Sequence, residues 1–71
     1  MIVSDKKVRN NIRTLRFQNG EMTQADLAAK IGATRQTINA IEAAKYAPSL
    51  ELAFKIADAF GEPIERVFKY E

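Results

Sequence analysis

Neither cysteine nor histidine occurs anywhere in the 71 residues. Disulfides, thiolate nucleophiles and the usual zinc or iron ligand sets are therefore excluded, and packing alone has to hold the fold. Serine is scarce, with only Ser4 and Ser49, and no pair of carboxylates sits in a recognisable pocket. Neither a nucleophile with its base nor a metal site can be assembled, so no enzymatic activity and no cofactor is expected. No apolar run approaches the roughly 18 residues of a membrane span, and the opening Met-Ile-Val-Ser-Asp-Lys-Lys lacks the apolar stretch of a secretory signal. A cytoplasmic protein without a membrane partner is expected. Repeats, low-complexity tracts and linkers are missing too. With no separate sensing domain, no small-molecule ligand is evident either.

What is present is apolar and evenly spread. Hydrophobic residues make up 46% of the chain, which argues for a packed globule over a disordered tail. The length predicts one domain over residues 1–71, near the lower limit for an unstapled core. The net charge of +2 is small but unevenly placed. Residues 1–45 hold eight Lys or Arg against four acids, and residues 46–71 hold three against five. A basic front half and an acidic back half suit a body that turns one surface towards a polyanion, although ordinary surface variation would give the same tally.

Hydrophobic spacing predicts an all-α chain of five helices. Val8, Ile12 and Leu15 at i, i+4 and i+7 give a first helix over about residues 6–18, ended by Asn19-Gly20. Thr23 followed by Asp26 is a capping signal for a second helix with Leu27, Ala28 and Ile31 inward, closed by Gly32. Thr34 caps a third, with Ile38 and Ile41 inward and Arg35, Gln36, Asn39, Ala40 and Ala43 outward. Pro48-Ser49 opens a fourth, carrying Ala53, Ile56, Ala57 and Phe60, with Leu52 and Phe54 widening its apolar arc. Gly61 ends it, and Pro63 suits the first position of a very short fifth helix with Ile64 and Val67. The β-prone Ile2-Val3 and the segment 67–70 are expected to pair as a small terminal ribbon.

The stretch 23–42 has the layout of two helices joined by a tight turn. Ala28 stands where the helices cross closely, Gly32 in the turn, and Ile38 and Ile41 anchor the second helix. A helix projecting this way enters the major groove of DNA by its N-terminal turn, here Thr34-Arg35-Gln36-Thr37. Arg offers two hydrogen bonds to guanine and Gln two to adenine, which makes Arg35 and Gln36 the expected base readers. Thr37 and Asn39 are within reach of a base edge or a phosphate, and Ala40 offers a methyl contact. Thr23, Gln24 and Thr34 stand at helix N-termini, where free N–H groups favour a phosphate. Lys45 and Tyr46, in the following loop, are equally readable as a phosphate clamp or as solvated surface. Arg9 and Arg13 on the first helix read as solvated surface that adds to the long-range field.

Three blocks in order, Met-Thr-Gln-Ala-Asp-Leu-Ala (22–28), Thr-Arg-Gln-Thr-Ile-Asn-Ala-Ile-Glu (34–42) and Lys-Tyr-Ala-Pro-Ser-Leu-Glu-Leu-Ala (45–53), resemble the lambda-repressor-like, or Xre, family of helix-turn-helix regulators, most of all its short single-domain members. The resemblance covers nearly the whole chain. It implies a five-helix DNA-binding domain with its helix-turn-helix core at about 23–44, a terminal β-ribbon, and operator contacts from Gln24, Arg35, Gln36 and Asn39. It also implies a buried ion pair between Arg16 and Glu42. The chain departs from common family patterns at Ala43 and at Glu21, which lengthens the first turn.

The leading expectation is a transcriptional repressor that binds a palindromic double-stranded DNA operator as a homodimer, with its two reading helices about 34 Å apart. Phe54, Phe60, Ile64, Val67, Phe68 and Tyr70 read as core by default, but a domain this small has trouble hiding all of them, and part of that cluster is expected to form the twofold interface. The competing expectation is an antitoxin or adaptor whose main partner is another protein.

Overall fold

Val8, between the exposed Lys7 and Arg9, is half-buried, and this alternation is that of a strand rather than a helix. In the computed structural model, which describes residues 5–71, Val8–Asn10 forms β1 and pairs antiparallel with β2, Phe68–Tyr70. Val8 stands opposite Tyr70, Arg9 opposite Lys69 and Asn10 opposite Phe68. Reciprocal backbone bonds between Lys7 and Glu71, both 3.1 Å, extend the ladder. The expected ribbon is therefore present, but its N-terminal strand comes from residues that the helical spacing had claimed. Ile2 and Val3, the expected strand, lie outside the described residues.

The first helix, α1, is correspondingly short, spanning Ile12–Gln18. The spacing of Val8, Ile12 and Leu15 fitted a helical stripe by coincidence, because an inward strand residue and two inward helix residues happened to fall in register. Asn10 Oδ1 accepts from the Ile12 N–H at 3.1 Å and starts the helix. After α1 the chain turns through two left-handed residues, Gly20 at φ 75° and Glu21 at φ 57°, which brings the Met22 N–H back to the Arg16 carbonyl at 2.9 Å.

Three further helices begin where their caps predict. α2, Gln24–Ile31, opens on a reciprocal capping box of Thr23 and Asp26. α3, Arg35–Glu42, opens on Thr34, whose hydroxyl accepts from the Thr37 N–H. α4, Leu50–Phe60, opens on Ser49, which accepts from the Leu52 N–H. Gly32 ends α2 at φ 70°. A Cβ there would meet nothing within 4 Å, so the left-handed backbone rather than crowding calls for glycine. α5, Ile64–Val67, takes Pro63 as its cap and not as its first residue.

These elements enclose one apolar core. Ile12, Leu27, Ile38, Ile41, Ile56 and Val67 are essentially inaccessible, and Leu15, Met22, Ala28, Ile31, Ala57 and Phe60 complete the cluster. Among the described residues no charged or polar residue is fully buried, and no buried side-chain nitrogen or oxygen lacks a hydrogen-bond partner. The core thus holds each helix by its inner stripe, and α3 is pinned against α2 by Ile38 and Ile41 while its other face stays open.

Candidate nucleic-acid interface

The open face of α3 begins at its first turn. Arg35 and Gln36 are exposed, Thr37 is half-buried, Asn39 is exposed, Ala40 is half-buried and Ala43 is exposed. Thr34 and Thr37 hydroxyls lie 2.9 Å apart, so both are partly used in shaping the turn. Arg35 is the first helical residue, and the first turn carries no acid. A cation at the positive end of a helix dipole is unfavourable by about 0.3–1 kcal/mol, so helix stability does not explain its place.

The other end of α3 is anchored by charge. Glu42, in the last turn, accepts from Arg16 Nε at 2.6 Å, from Arg16 Nη2 at 3.2 Å and from Gln24 Nε2 at 2.9 Å. Arg16 Nη1 donates to the Met22 carbonyl at 2.8 Å. The two charged side chains are only 11% and 12% exposed. This is the Arg16–Glu42 pair that the family resemblance implies, in a two-pronged geometry that ties α1 to α3. Gln24, the first residue of α2, is thereby held half-buried beside α3, and one of its two amide protons is committed to Glu42.

Asn10, Arg13, Gln24, Asn39, Glu42 and Ala43 line one shallow hollow. Arg13 was read from the sequence as solvated surface. It stacks over Phe17, 5.7 Å from the ring centre, on a helix face that leads to α3. Its position one turn before Arg16, which reaches Glu42, was the available signal. Arg9, assigned to the first helix by spacing, lies on β1 and donates from Nε to the Glu71 carbonyl at 3.2 Å. Thr23 is engaged in its capping box, and the Thr23 backbone N–H, with help from the Thr23 side chain, holds the exposed Asp26 carboxyl below its ordinary value.

Beyond α3, Ala44 adopts φ 57°, and the Lys45 N–H reaches the Ala40 carbonyl at 3.0 Å. Lys45 and Tyr46 follow on the surface, Tyr46 49% exposed. The apolar cluster at the C-terminal end divides. Phe60 and Val67 belong to the chain's own core, as their default reading has it, and so leave the set of interface candidates. Ile64 and Phe68 pack half-buried on the core. Phe54 is 50% and Tyr70 64% exposed, and Leu50, one turn before Phe54 on α4, is exposed as well. Leu50 escaped the sequence reading because it stands beside the Ser49 cap rather than on the inner stripe.

A short helix pinned by two isoleucines to the helix before it, with a glycine turn between them and its polar first turn outermost, defines a helix-turn-helix unit. The helix-turn-helix family profile matches residues 12–67, and the chain belongs to that family. An uncharacterised HTH-type transcriptional regulator of Methanocaldococcus jannaschii is 64% identical over 50 residues, 70% of this chain and 76% of the relative. A second, from Archaeoglobus fulgidus, is 47% identical over 64 residues, 90% of each chain. The Bacillus subtilis regulator YgzD is 44% identical over 64 residues, covering 90% of this chain and 96% of its own. A crystal structure of a proposed DNA-binding protein from Bacteroides fragilis superposes with a TM-score of 0.77 at 22% identity, over 87% of this chain and 98% of the other, and shows that the fold is shared. The chain is a helix-turn-helix transcriptional regulator with a lambda-repressor-like fold, in a family of DNA-binding proteins rather than enzymes. None of its described helices is long and apolar enough to cross a membrane.

Proposed function

We propose that the chain is a sequence-specific repressor that binds a palindromic operator as a homodimer in the cytoplasm, associated with the nucleoid when bound. The observation that carries this reading is the first turn of α3, where exposed Arg35 and Gln36 stand outermost on a helix whose opposite face is fixed in the core. In this reading Arg35 and Gln36 contact bases, with Thr37, Asn39 and Ala40 following along the groove. Thr23, Gln24 and Thr34 receive one phosphate strand at the helix N-termini, and Lys45 and Tyr46 receive the other. Phe54 and Tyr70, with the exposed parts of Ile64 and Phe68, supply the apolar surface for the twofold contact.

Selection of random duplex DNA by the purified protein, followed by sequencing, tests the proposal. A twofold-symmetric site is expected, and the Gln36→Ala variant should discriminate less at one position of each half-site. Phe54→Glu should shift the protein towards monomer in sedimentation while leaving its circular dichroism intact. Absence of any enriched site at low salt would refute operator binding and favour a protein partner as the main ligand.

A further inference from the structure

Two consecutive amides, Asn10 and Asn11, join the terminal ribbon to the rest of the molecule. Asn11 donates from Nδ2 to the Arg66 carbonyl at 3.1 Å and from its backbone N–H to the Val67 carbonyl at 2.9 Å, which fastens α1 to α5. Asn10 turns the other way. Its Nδ2 donates to the Ile41 carbonyl at 2.8 Å and, more weakly, to the Glu42 carbonyl at 3.4 Å. Its Oδ1 meanwhile accepts the Ile12 N–H. One half-buried side chain on β1 therefore closes both the N-terminus of α1 and the C-terminus of α3.

At the C-terminus of α3 this bond adds a tie from outside the helix to a closure made within the chain's own turn. The last four carbonyls of any helix lack intrahelical donors, and here a left-handed turn at Ala44 takes two of them, the Ala44 N–H donating to the Ile41 carbonyl at 2.9 Å and the Lys45 N–H to the Ala40 carbonyl at 3.0 Å. The last turn of α3 has no basic residue, and its cap Ala43 has no side chain to donate, so the side-chain donor at the Ile41 and Glu42 carbonyls comes from Asn10. The Arg16–Glu42 pair holds this end through a side chain, whereas Asn10 holds the backbone itself. The Asn10 bond is a direct tie between the ribbon strand and the backbone of α3.

We propose that Asn10 is a positioning residue for DNA reading, setting the angle at which α3 presents Arg35 and Gln36, although it is neither on the helix-turn-helix nor outermost on its face. This rests on the reading of α3 as the groove helix. Asn10→Asp keeps the acceptor for Ile12 and removes the donors to α3. Asn10→Ser also keeps an acceptor at the start of α1 but adds no charge. Both should be assayed at a temperature at which circular dichroism shows them fully folded. Each should lose about threefold to tenfold in affinity for the site selected by the wild-type protein, the scale of one lost hydrogen bond. Binding to random duplex DNA at low salt should not change for Asn10→Ser, since phosphate contacts carry that affinity. Both variants should also relax discrimination at the bases read by the first turn of α3.

Equal loss on selected and random DNA, or a loss confined to the charged Asp variant, would overturn the role of Asn10 and leave DNA reading by α3 intact. Unchanged site affinity in both variants would do the same. If the wild-type protein selects no site, the reading of α3 fails first, and the role of Asn10 fails with it.

Discussion

Replacing Glu42 by alanine removes the carboxylate that takes three hydrogen bonds and leaves the guanidinium of Arg16 with the Met22 carbonyl and the face of Phe17 but no counter-charge. With 11% of the Arg16 side chain exposed, water replaces little of what is lost. Stranding one member of a buried pair costs about 3–5 kcal/mol. A domain of this length has roughly 4–11 kcal/mol in total, so the variant should lose a large part of its stability. In a domain of this size each kcal/mol moves the melting temperature by about 4–8 °C, which predicts a fall of at least about 12 °C.

Thermal unfolding followed by far-ultraviolet circular dichroism measures the fall, and a double mutant identifies its source. Arg16→Met with Glu42→Leu leaves no stranded charge and keeps comparable bulk, and it should recover most of the stability lost by Glu42→Ala. A drop below about 1 kcal/mol for Glu42→Ala would mean that the pair behaves like an exposed one. A double mutant as unstable as the single would locate the cost in lost packing. Either result would refute the reasoning from stranded charge.

Lys45→Ala should weaken binding to all duplexes about equally and lower the slope of log affinity against log salt by about 1, as a phosphate contact requires. The folded chain holds the Asp26 carboxyl below the ordinary aspartate value, chiefly through the Thr23 backbone N–H. Its contribution to stability is therefore complete above that value and fades as pH falls through the lower folded value. In melting curves taken across this acid range, Asp26→Asn should flatten that part of the decline. Ala44→Gly should stabilise the turn after α3, because a left-handed alanine at φ 57° carries about 1–2 kcal/mol of strain, against about 0.4–1 kcal/mol for the added freedom of glycine in the unfolded chain. A rise of a few degrees in melting temperature is expected, at about 4–8 °C per kcal/mol.

Capping chemistry made the interior helices legible. Thr23, Thr34 and Ser49 act on N–H groups within three residues, and Gly32 and Gly61 act through their own backbone, so each signal is complete in a short window. The start of the chain was not legible in this way. β1 exists because Phe68–Tyr70 lies beside it, and a three-residue strand has no periodicity of its own to set against a plausible helical stripe. The same distinction runs through the site. Arg35 and Gln36 could be chosen because the turn that exposes them is local. Asn10 joins the face by bonding Ile41, 31 positions away, and Arg13 lines the same hollow as Asn39 only once the chain has folded.

α3 is built against its own dipole. It carries a cation in its first turn and an anion in its last, the reverse of the order that steadies an isolated helix. An eight-residue helix with that arrangement has little stability of its own. Its shape depends on Thr34 at the front, on Ile38 and Ile41 beneath, and on Arg16 and Asn10 at the rear, all but one of these anchors reaching it through tertiary contact or from outside the helix. Stability is thus supplied by neighbours, and the exposed side chains are left free of that task. Under the proposed operator reading, the unfavourable place of Arg35 has a physical reason: phosphates around the N-terminal turn would offset the dipole and let its guanidinium reach the groove. A neutral residue there would make a better helix and, on that reading, a poorer reader, and the rear anchors are what make the poorer helix tolerable.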